Sequence, residues 1–438
     1  MAGDSVQFGS PVPVWYIGTS DYGAEHPLEG RKYARVVIIG GGGTGLSTAY
    51  HLKKLEPSLD IIVLEAEEIG NGATGRSTGF YLEGFEGGIT PALARLKREY
   101  PNDPKRVKEV GAQLLRFTLD TLSDLDALIM AHNGTENEAK GSLQLATTPH
   151  FARLLEDEVL AYEGLEIDVG QKILRGNAVQ SALPYSPHPL ISSNGEYLLA
   201  LHEDSGFGYN PIKALRFLKE EVKKLGVSIY EHTKVTKSPS EQSGKVVVKT
   251  TGGEVIADYF ISATDGYTSG IIGGPLITPY KEFVFATEPL PLLFSGQNQL
   301  VWVDNGTVYF RQMANGRIVF GGGHKDNLDE ALLHNGEMQS FNLENNPIQQ
   351  EYIQKYFRQV FPQYRDARIT HSWAGIMGAA RNEGFPAVIR MVSPCGLVVG
   401  GYSGQGLALS HGLPKIAAQI AMGRQDFPNE LVNFFRPN

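Results

Sequence analysis

The chain has 438 residues; at about 150 residues per domain that predicts two or three domains with buried cores and excludes a peptide-sized module. Apolar residues make up 42% and charged residues 20%, ordinary globular usage that argues against disorder, collagen and coiled coil. The formal charge of −9 has the wrong sign for a nucleic-acid or anionic-lipid partner.

A single cysteine, Cys395, cannot form an internal disulfide, and the eleven histidines show no zinc-ligand spacing, so no metal site is expected. The first thirty residues are polar and carry Pro11, Pro13 and Pro27, and no apolar run reaches the length of a spanning helix. A reducing, cytoplasmic setting is the expectation. Glycine is in excess: the 51 glycines are about 12% of the 438 residues, against a background near 7%. Residues 40–88 hold 12 of them and residues 375–412 hold 9.

Taken along the chain, Arg35 to Ile39 is a β-branched run suited to a strand buried on both faces, ending in Gly40-Gly-Gly-Gly-Thr-Gly45. From Leu46 the period becomes helical, until Pro57 breaks it, and Ile61 to Leu64 reads as a second buried strand ending at Glu65. Leucines and valines at three- and four-residue spacing predict amphipathic helix from Thr90 to about Asn133. A strand over Gly141 to Thr147 and helices over Pro149 to Tyr162 and Pro211 to Leu225 follow. Short strands are expected at Val227 to Tyr230, Lys245 to Thr250 and Tyr259 to Ala263, then antiparallel ones at Lys281 to Thr287, Thr307 to Met313 and Arg317 to Gly321. The mixed order, without internal repeats, predicts interleaved α/β domains.

Gly40, Gly42 and Gly45 give the G-x-G-x-x-G spacing between a buried strand and an amphipathic helix, the context that the motif requires. The first glycine makes a tight turn, the second admits a pyrophosphate to the backbone, and the third lets helix and strand pack closely. The helix N-terminus then offers unpaired N–H groups to the phosphates. Glu65, twenty residues beyond Gly45, is placed to accept from ribose hydroxyls and disfavours a 2′-phosphate. The motif alone leaves NAD and FAD open.

Further segments occur in a set order: Gly70-Asn-Gly-Ala-Thr-Gly-Arg-Ser-Thr-Gly79, Gly208-Tyr-Asn-Pro211, Ser262-Ala-Thr264 with Tyr267, Val308-Tyr-Phe-Arg311, Trp373-Ala-Gly375, and Gly401-Tyr-Ser-Gly-Gln-Gly406. With Pro27-Leu-Glu-Gly30, Ala286-Thr-Glu-Pro-Leu290 and the tail near Arg436, this order resembles the D-amino-acid-oxidase superfamily of FAD enzymes, most of all its γ-glutamylputrescine-oxidase-like branch. The resemblance implies a Rossmann-like FAD-binding domain interleaved with a substrate domain built on an antiparallel sheet with helices. The expected division is an N-terminal arm (1–30), FAD-binding segments at 31–90, 205–270 and 365–438, and substrate segments at 91–204 and 271–364.

The cofactor set so implied begins with Gly40, Gly42, Gly43, Thr44, Gly45, Glu65 and Ala66. Thr74, Gly75, Arg76, Ser77, Thr78 and Gly79 would run beside the pyrophosphate and flavin ring, and Val235 would meet the adenine. Ala263, Thr264, Gly375, Gly401 and Tyr402 complete the cradle, and Gly404, Gln405, Gly406 and Leu407 would open the last helix at the flavin N1/C2=O edge. Relatives usually carry Gly-His-Gly where Gly404-Gln405-Gly406 stands. Cys395 lies after the segment Arg381 to Ile389, whereas the flavin-linking cysteine of sarcosine-oxidase-type relatives lies before it, so FAD is expected to be held non-covalently.

Relatives that act on α-amino acids anchor the carboxylate with cations. Met377, Gly404 and Ala408 stand at those positions here, which points to a small-molecule amine without an adjacent carboxylate, giving hydride to flavin N5 and leaving as an imine that hydrolyses to a carbonyl compound. Tyr309, Trp373 and Tyr402 are the aromatic candidates for the substrate pocket and Arg311 a candidate anion anchor, each with core packing or an ion pair as the alternative. Glu83 and Glu86 are either attractors of a cationic amine or a solvated acidic loop. The oxygen-activating lysine of sarcosine-oxidase-type relatives aligns with Val319, so oxygen and another electron acceptor both stay open. An amino-acid dehydrogenase, an NAD-linked Rossmann dehydrogenase and a partner-dependent flavoprotein subunit are the competing readings, and oligomeric state is not indicated.

Overall fold

The computed structural model describes residues 9–19, 22–85, 87–131, 139–183, 199–293, 300–322, 343–380 and 387–436. Two sheets organise them. The first runs, in spatial order, Val388–Ser393, Gly396–Gly400, Gly253–Ser262, Gly30–Ile39, Ile61–Leu64 and Ser228–Tyr230, with Lys245–Lys249 and Ser240–Gln242 added antiparallel beside Gly253–Ser262. Its four central pairings are parallel. That arrangement fits the sequence: Val36, Val37, Ile38 and Ile39 are all buried, as a strand covered on both faces requires. Each such side chain contributes about 1.5–3 kcal/mol by leaving water.

Helices Gly43–Leu55, Pro211–Lys224 and Gly406–Ala421 supply buried residues to the core against this sheet. The first and last of them are locked together: Tyr402 and Thr44 share a hydroxyl hydrogen bond of 2.9 Å, Ser47 Oγ meets His411 Nδ1 at 3.2 Å, and His51 Nε2 meets the His411 carbonyl at 3.0 Å. Burial depresses both histidines, His411 to about 4, so the pair stays neutral at physiological pH.

The second sheet runs Ile369–Ala380, Ile277–Thr287, Ile318–Gly322, Val308–Gln312, Leu300–Val303, Ala139–Ala146, Leu199–Gly208 and Phe80–Tyr81, with Lys172–Leu174 at Leu199–Gly208. It is antiparallel except where Leu300–Val303 pairs Ala139–Ala146. Beneath it Phe285 and Phe310 stack on Phe320, and these rings meet Phe357 and Phe361, of the helix Pro347–Val360 and its end, edge-on. The expected antiparallel hairpin over residues 307–321 is present, with Gly316 at φ +86 in its turn.

One expectation changes. The helical stretch from Thr90 is two helices, Thr90–Glu99 and Pro104–Met130. Pro101 biases Tyr100 away from helix, and Asp103 caps the second helix by accepting from the Arg106 N–H at 2.9 Å, with Pro104 at its first position. The end near Asn133 lies outside the described residues. Strand Ile369–Ala380 pairs along its length with Ile277–Thr287, and Leu199–Gly208 pairs with Ala139–Ala146. Among the described residues no helix is long and apolar enough to cross a membrane.

Candidate active site

The parallel strands Gly30–Ile39, Ile61–Leu64 and Gly253–Ser262 end together, and their next residues, Gly40, Glu65 and Ala263, line a cavity of about 560 Å³. This is the carboxyl edge of an open sheet, where such folds bind ligands. The turn depends on glycine. Gly40 has φ +105, and a Cβ there would stand 2.6 Å from the Ala263 carbonyl oxygen; a Cβ on Gly45 would stand 1.8 Å from the Gly40 carbonyl oxygen. Helix Gly43–Leu55 therefore starts directly at the strand end, its first-turn N–H groups lacking intrahelical partners. Gly42, Gly43 and Thr44 face the cavity, while Gly45 lies behind, as its packing role demands.

Glu65 accepts from the Gly41 N–H at 2.8 Å and the Glu67 N–H at 3.0 Å. Burial nonetheless raises its carboxyl above the usual range, against the pull of those N–H groups. Ala66, Thr74, Val235, Thr264, Tyr402 and Gly406 line the same cavity. A helix N-terminus, a bare glycine turn and a fixed carboxylate form the donor and acceptor set that phosphates and a ribose need, and FAD fits it.

A second cavity, of about 330 Å³, opens beside the first. Ala73, Ser77, Met377, Gly404 and Leu407 line both, and so mark where the two meet. Arg76, Thr78, Gly375, Gln405 and Tyr309 face the second cavity. Gly404 has φ +97 and precedes helix Gly406–Ala421, so that helix start points at the junction.

Gly75, Gly79 and Gly401 line neither cavity and shape the backbone around it. A Cβ on Gly75 would meet the Gly70 carbonyl oxygen at 2.0 Å, and one on Gly79 the Tyr209 carbonyl oxygen at 2.3 Å. Trp373 and Arg311 are also absent from both linings. The Trp373 indole, fully buried, donates to the Arg76 carbonyl at 2.8 Å. Arg311, equally buried, donates to the Tyr209 carbonyl at 3.0 Å, stacks over Trp15 at 4.9 Å and lies under the Gly79 turn. The guanidinium expected to anchor an anion thus supports the loop from below. Tyr309 does face the second cavity, donating to Glu282 Oε2 at 2.5 Å.

Three residues that the sequence did not mark also build the site. Trp15 donates to the Ser77 carbonyl at 2.7 Å, so two buried indoles fix consecutive carbonyls of the segment at the junction. Asp265, half-buried and at φ +44, accepts from Gly378 N–H at 2.8 Å and Gly401 N–H at 2.7 Å, tying strand Ile369–Ala380 to the turn before the last helix. Glu231 accepts from Ile69 N–H at 2.6 Å and pairs with the fully buried Lys219 at 2.9 Å, holding the loop beyond Glu65. No local signal identifies these, because every partner is remote in sequence. Cys395 and Val319 line neither cavity, and Glu86 lies outside the described residues.

Residues 35–420 match the family model described as FAD dependent oxidoreductase. The chain is 26% identical over 427 residues to a probable oxidoreductase, OrdL, of Rhizobium meliloti, covering 95% of this chain and 89% of that protein. It is 24% identical over 410 residues to the gamma-glutamylputrescine oxidoreductase of Escherichia coli, covering 89% of this chain and 83% of that one. Among solved structures, glycine oxidase from Geobacillus kaustophilus superposes with a TM-score of 0.70 at 17% identity, over 93% of this chain and 99% of that one. With the strand–glycine turn–helix at 35–55, the helix start at Gly406 and a family match over most of its length, the chain belongs to the FAD-dependent oxidoreductases of the D-amino-acid-oxidase type, and FAD is its cofactor.

Proposed function

We propose that the protein oxidises the C–N bond of a small amine that has no carboxylate beside the reacting carbon. The observation that carries this is the cation inventory of the second cavity. Among its described lining residues the sole lysine or arginine is Arg76, and its guanidinium is committed: Nε donates to the Asn71 carbonyl at 2.7 Å, Nη2 to Asn71 Oδ1 at 2.9 Å and Nη1 to the Ala374 carbonyl at 3.1 Å. Met377 and Gly404, where carboxylate-binding relatives carry arginine, stand at the junction itself. Among the described lining residues a bidentate carboxylate clamp therefore has no free cationic donor.

On this reading FAD would be held non-covalently in the larger cavity, by Gly40, Gly42, Gly43 and Thr44 for its pyrophosphate, Val235 for its adenine, and Ser77, Gly404 and Leu407 for its ring. When bound, it supplies a two-electron sink for the C–H bond next to nitrogen. The chain orients the amine across the junction and holds helix Gly406–Ala421 with its positive end toward the ring edge, where negative charge develops. Glu282, hydrogen-bonded by Tyr309, is the group on the cavity wall that takes the ammonium proton and frees the nitrogen lone pair. The C–H hydrogen would leave with its bonding pair to that sink, the nitrogen lone pair would form the C=N bond, and water would convert the iminium to a carbonyl compound and a released ammonium. Support for a separate positioning role for Trp15, Trp373 and Arg311 comes from their contacts behind the loop. A cytoplasmic setting, from the cysteine usage, belongs to the same reading.

The test is product analysis. Incubated in air with primary and secondary alkylamines, the purified protein should release a carbonyl compound; peroxide formed in step identifies oxygen as acceptor, and turnover only with an added dye identifies a dehydrogenase. Carbonyl release from α-amino acids alone would overturn the proposal.

A further inference from the structure

We propose that the second cavity contains a site for a second cation: the buried carboxyl groups of Glu83, Glu158 and Glu203 receive an ammonium remote from the C–N bond that is oxidised, which makes diamines and polyamine-like amines the preferred substrates. The inference rests on the amine reading above and specifies its substrate class. All three side chains line the cavity and are more than nine-tenths buried. They come from separate elements: the loop after Phe80–Tyr81, helix Pro149–Leu165, and strand Leu199–Gly208.

Their partners are neutral. Glu158 accepts from Ile89 N–H at 2.6 Å, Thr90 N–H at 3.0 Å and Thr90 Oγ1 at 2.7 Å. Glu203 accepts from Gln144 Nε2 at 3.0 Å, Ser142 Oγ at 3.3 Å and the Tyr162 hydroxyl at 3.4 Å. Glu83 Oε1 accepts from Ser205, but Oε2 is buried with no partner. None of the three has a lysine or arginine partner among the described residues. A buried carboxylate oxygen without a donor is costly, and three carboxyls converging without a cation are costlier still unless a ligand brings one. Leu82, Phe85 and Leu155 line the same cavity and suit the methylenes between two nitrogens.

Burial raises all three carboxyls, and their mutual repulsion lifts Glu203 further, to about 8. An entering ammonium favours the charged forms.

The experiment is anaerobic calorimetry on the FAD-loaded protein with matched probes, 1,4-diaminobutane against butylamine and 1,6-diaminohexane against hexylamine, for the wild type, Glu83→Gln and Glu203→Gln. The expected result is at least tenfold tighter binding of one diamine than of its monoamine, with that preference falling toward unity in both variants. Equal binding of diamine and monoamine by the wild type overturns the proposal, as does a preference that survives in both folded variants. If one variant does not fold, the other and the wild-type ratio decide. If a diamine binds preferentially but no amine reduces the flavin, the cation site stands and the amine-oxidation reading falls.

Discussion

Gly45→Ala should leave the purified protein without its flavin. The added Cβ would stand 1.8 Å from the Gly40 carbonyl oxygen and 2.9 Å from its carbon, and both are backbone atoms that cannot rotate away. The helix Gly43–Leu55 must then lift from the strand end, carrying its first-turn N–H groups off the phosphates. Overpacking of this kind costs about 1–3 kcal/mol or more, and at about 1.4 kcal/mol per tenfold FAD affinity should fall by roughly ten- to a hundredfold. Flavin absorbance per chain after gel filtration measures it. Gly164→Ala, where a Cβ meets nothing within 4 Å, is the control and should keep full flavin content. A yellow Gly45→Ala protein would show that this turn does not set the cofactor site.

Asp265→Ala should destabilise the fold by about 2–5 kcal/mol, since two buried backbone N–H groups lose their acceptor at about 1–3 kcal/mol each. Those N–H groups belong to Gly378 on the second sheet and Gly401 before the last helix, so the damage falls on the connection between the two cavities. Burial raises the Asp265 carboxyl even though Gly401 and Gly378 pull it down. Asp265→Asn, which keeps one carbonyl acceptor, should lose about half as much. Denaturant unfolding of the FAD-loaded proteins gives the comparison; a loss under about 1 kcal/mol for the alanine variant, less than one such orphaned group costs, would remove Asp265 from the account.

Legibility of the molecule in its sequence follows the range of the interactions. The segment 35–65 was readable because a β-branched run, a glycine turn and a helical period are local features, each imposed by neighbouring residues. The candidate cofactor positions Gly40, Gly42, Gly45 and Glu65 follow from that same local chemistry, whereas Gly404 to Leu407 rest on the family resemblance. Arg311 shows where the pattern stops: Tyr309 and Arg311 share a strand face by their spacing, yet Tyr309 reaches the cavity while Arg311 passes under Gly79 to Trp15. Face is a local property and depth is not. Trp15, Asp265, Glu158 and Glu203 are illegible for the same reason, since each acquires meaning only when distant segments meet, and Glu83, which the sequence marks, stays ambiguous until Glu158 and Glu203 stand beside it. Leucine spacing continues across Pro101 and Pro104, so periodicity alone gives one helix from Thr90 where those prolines divide it into two.

The most direct measurement is anaerobic titration of the bound flavin, followed by its visible absorbance, with alkylamines and diamines against the α-amino acids that carry the same side chains. Full bleaching by at least one amine lacking an α-carboxylate, at concentrations where its amino-acid counterpart leaves the flavin oxidised, is the predicted result. Bleaching confined to α-amino acids, or to hydroxy acids, would contradict the assignment of the second cavity to a carboxylate-free amine.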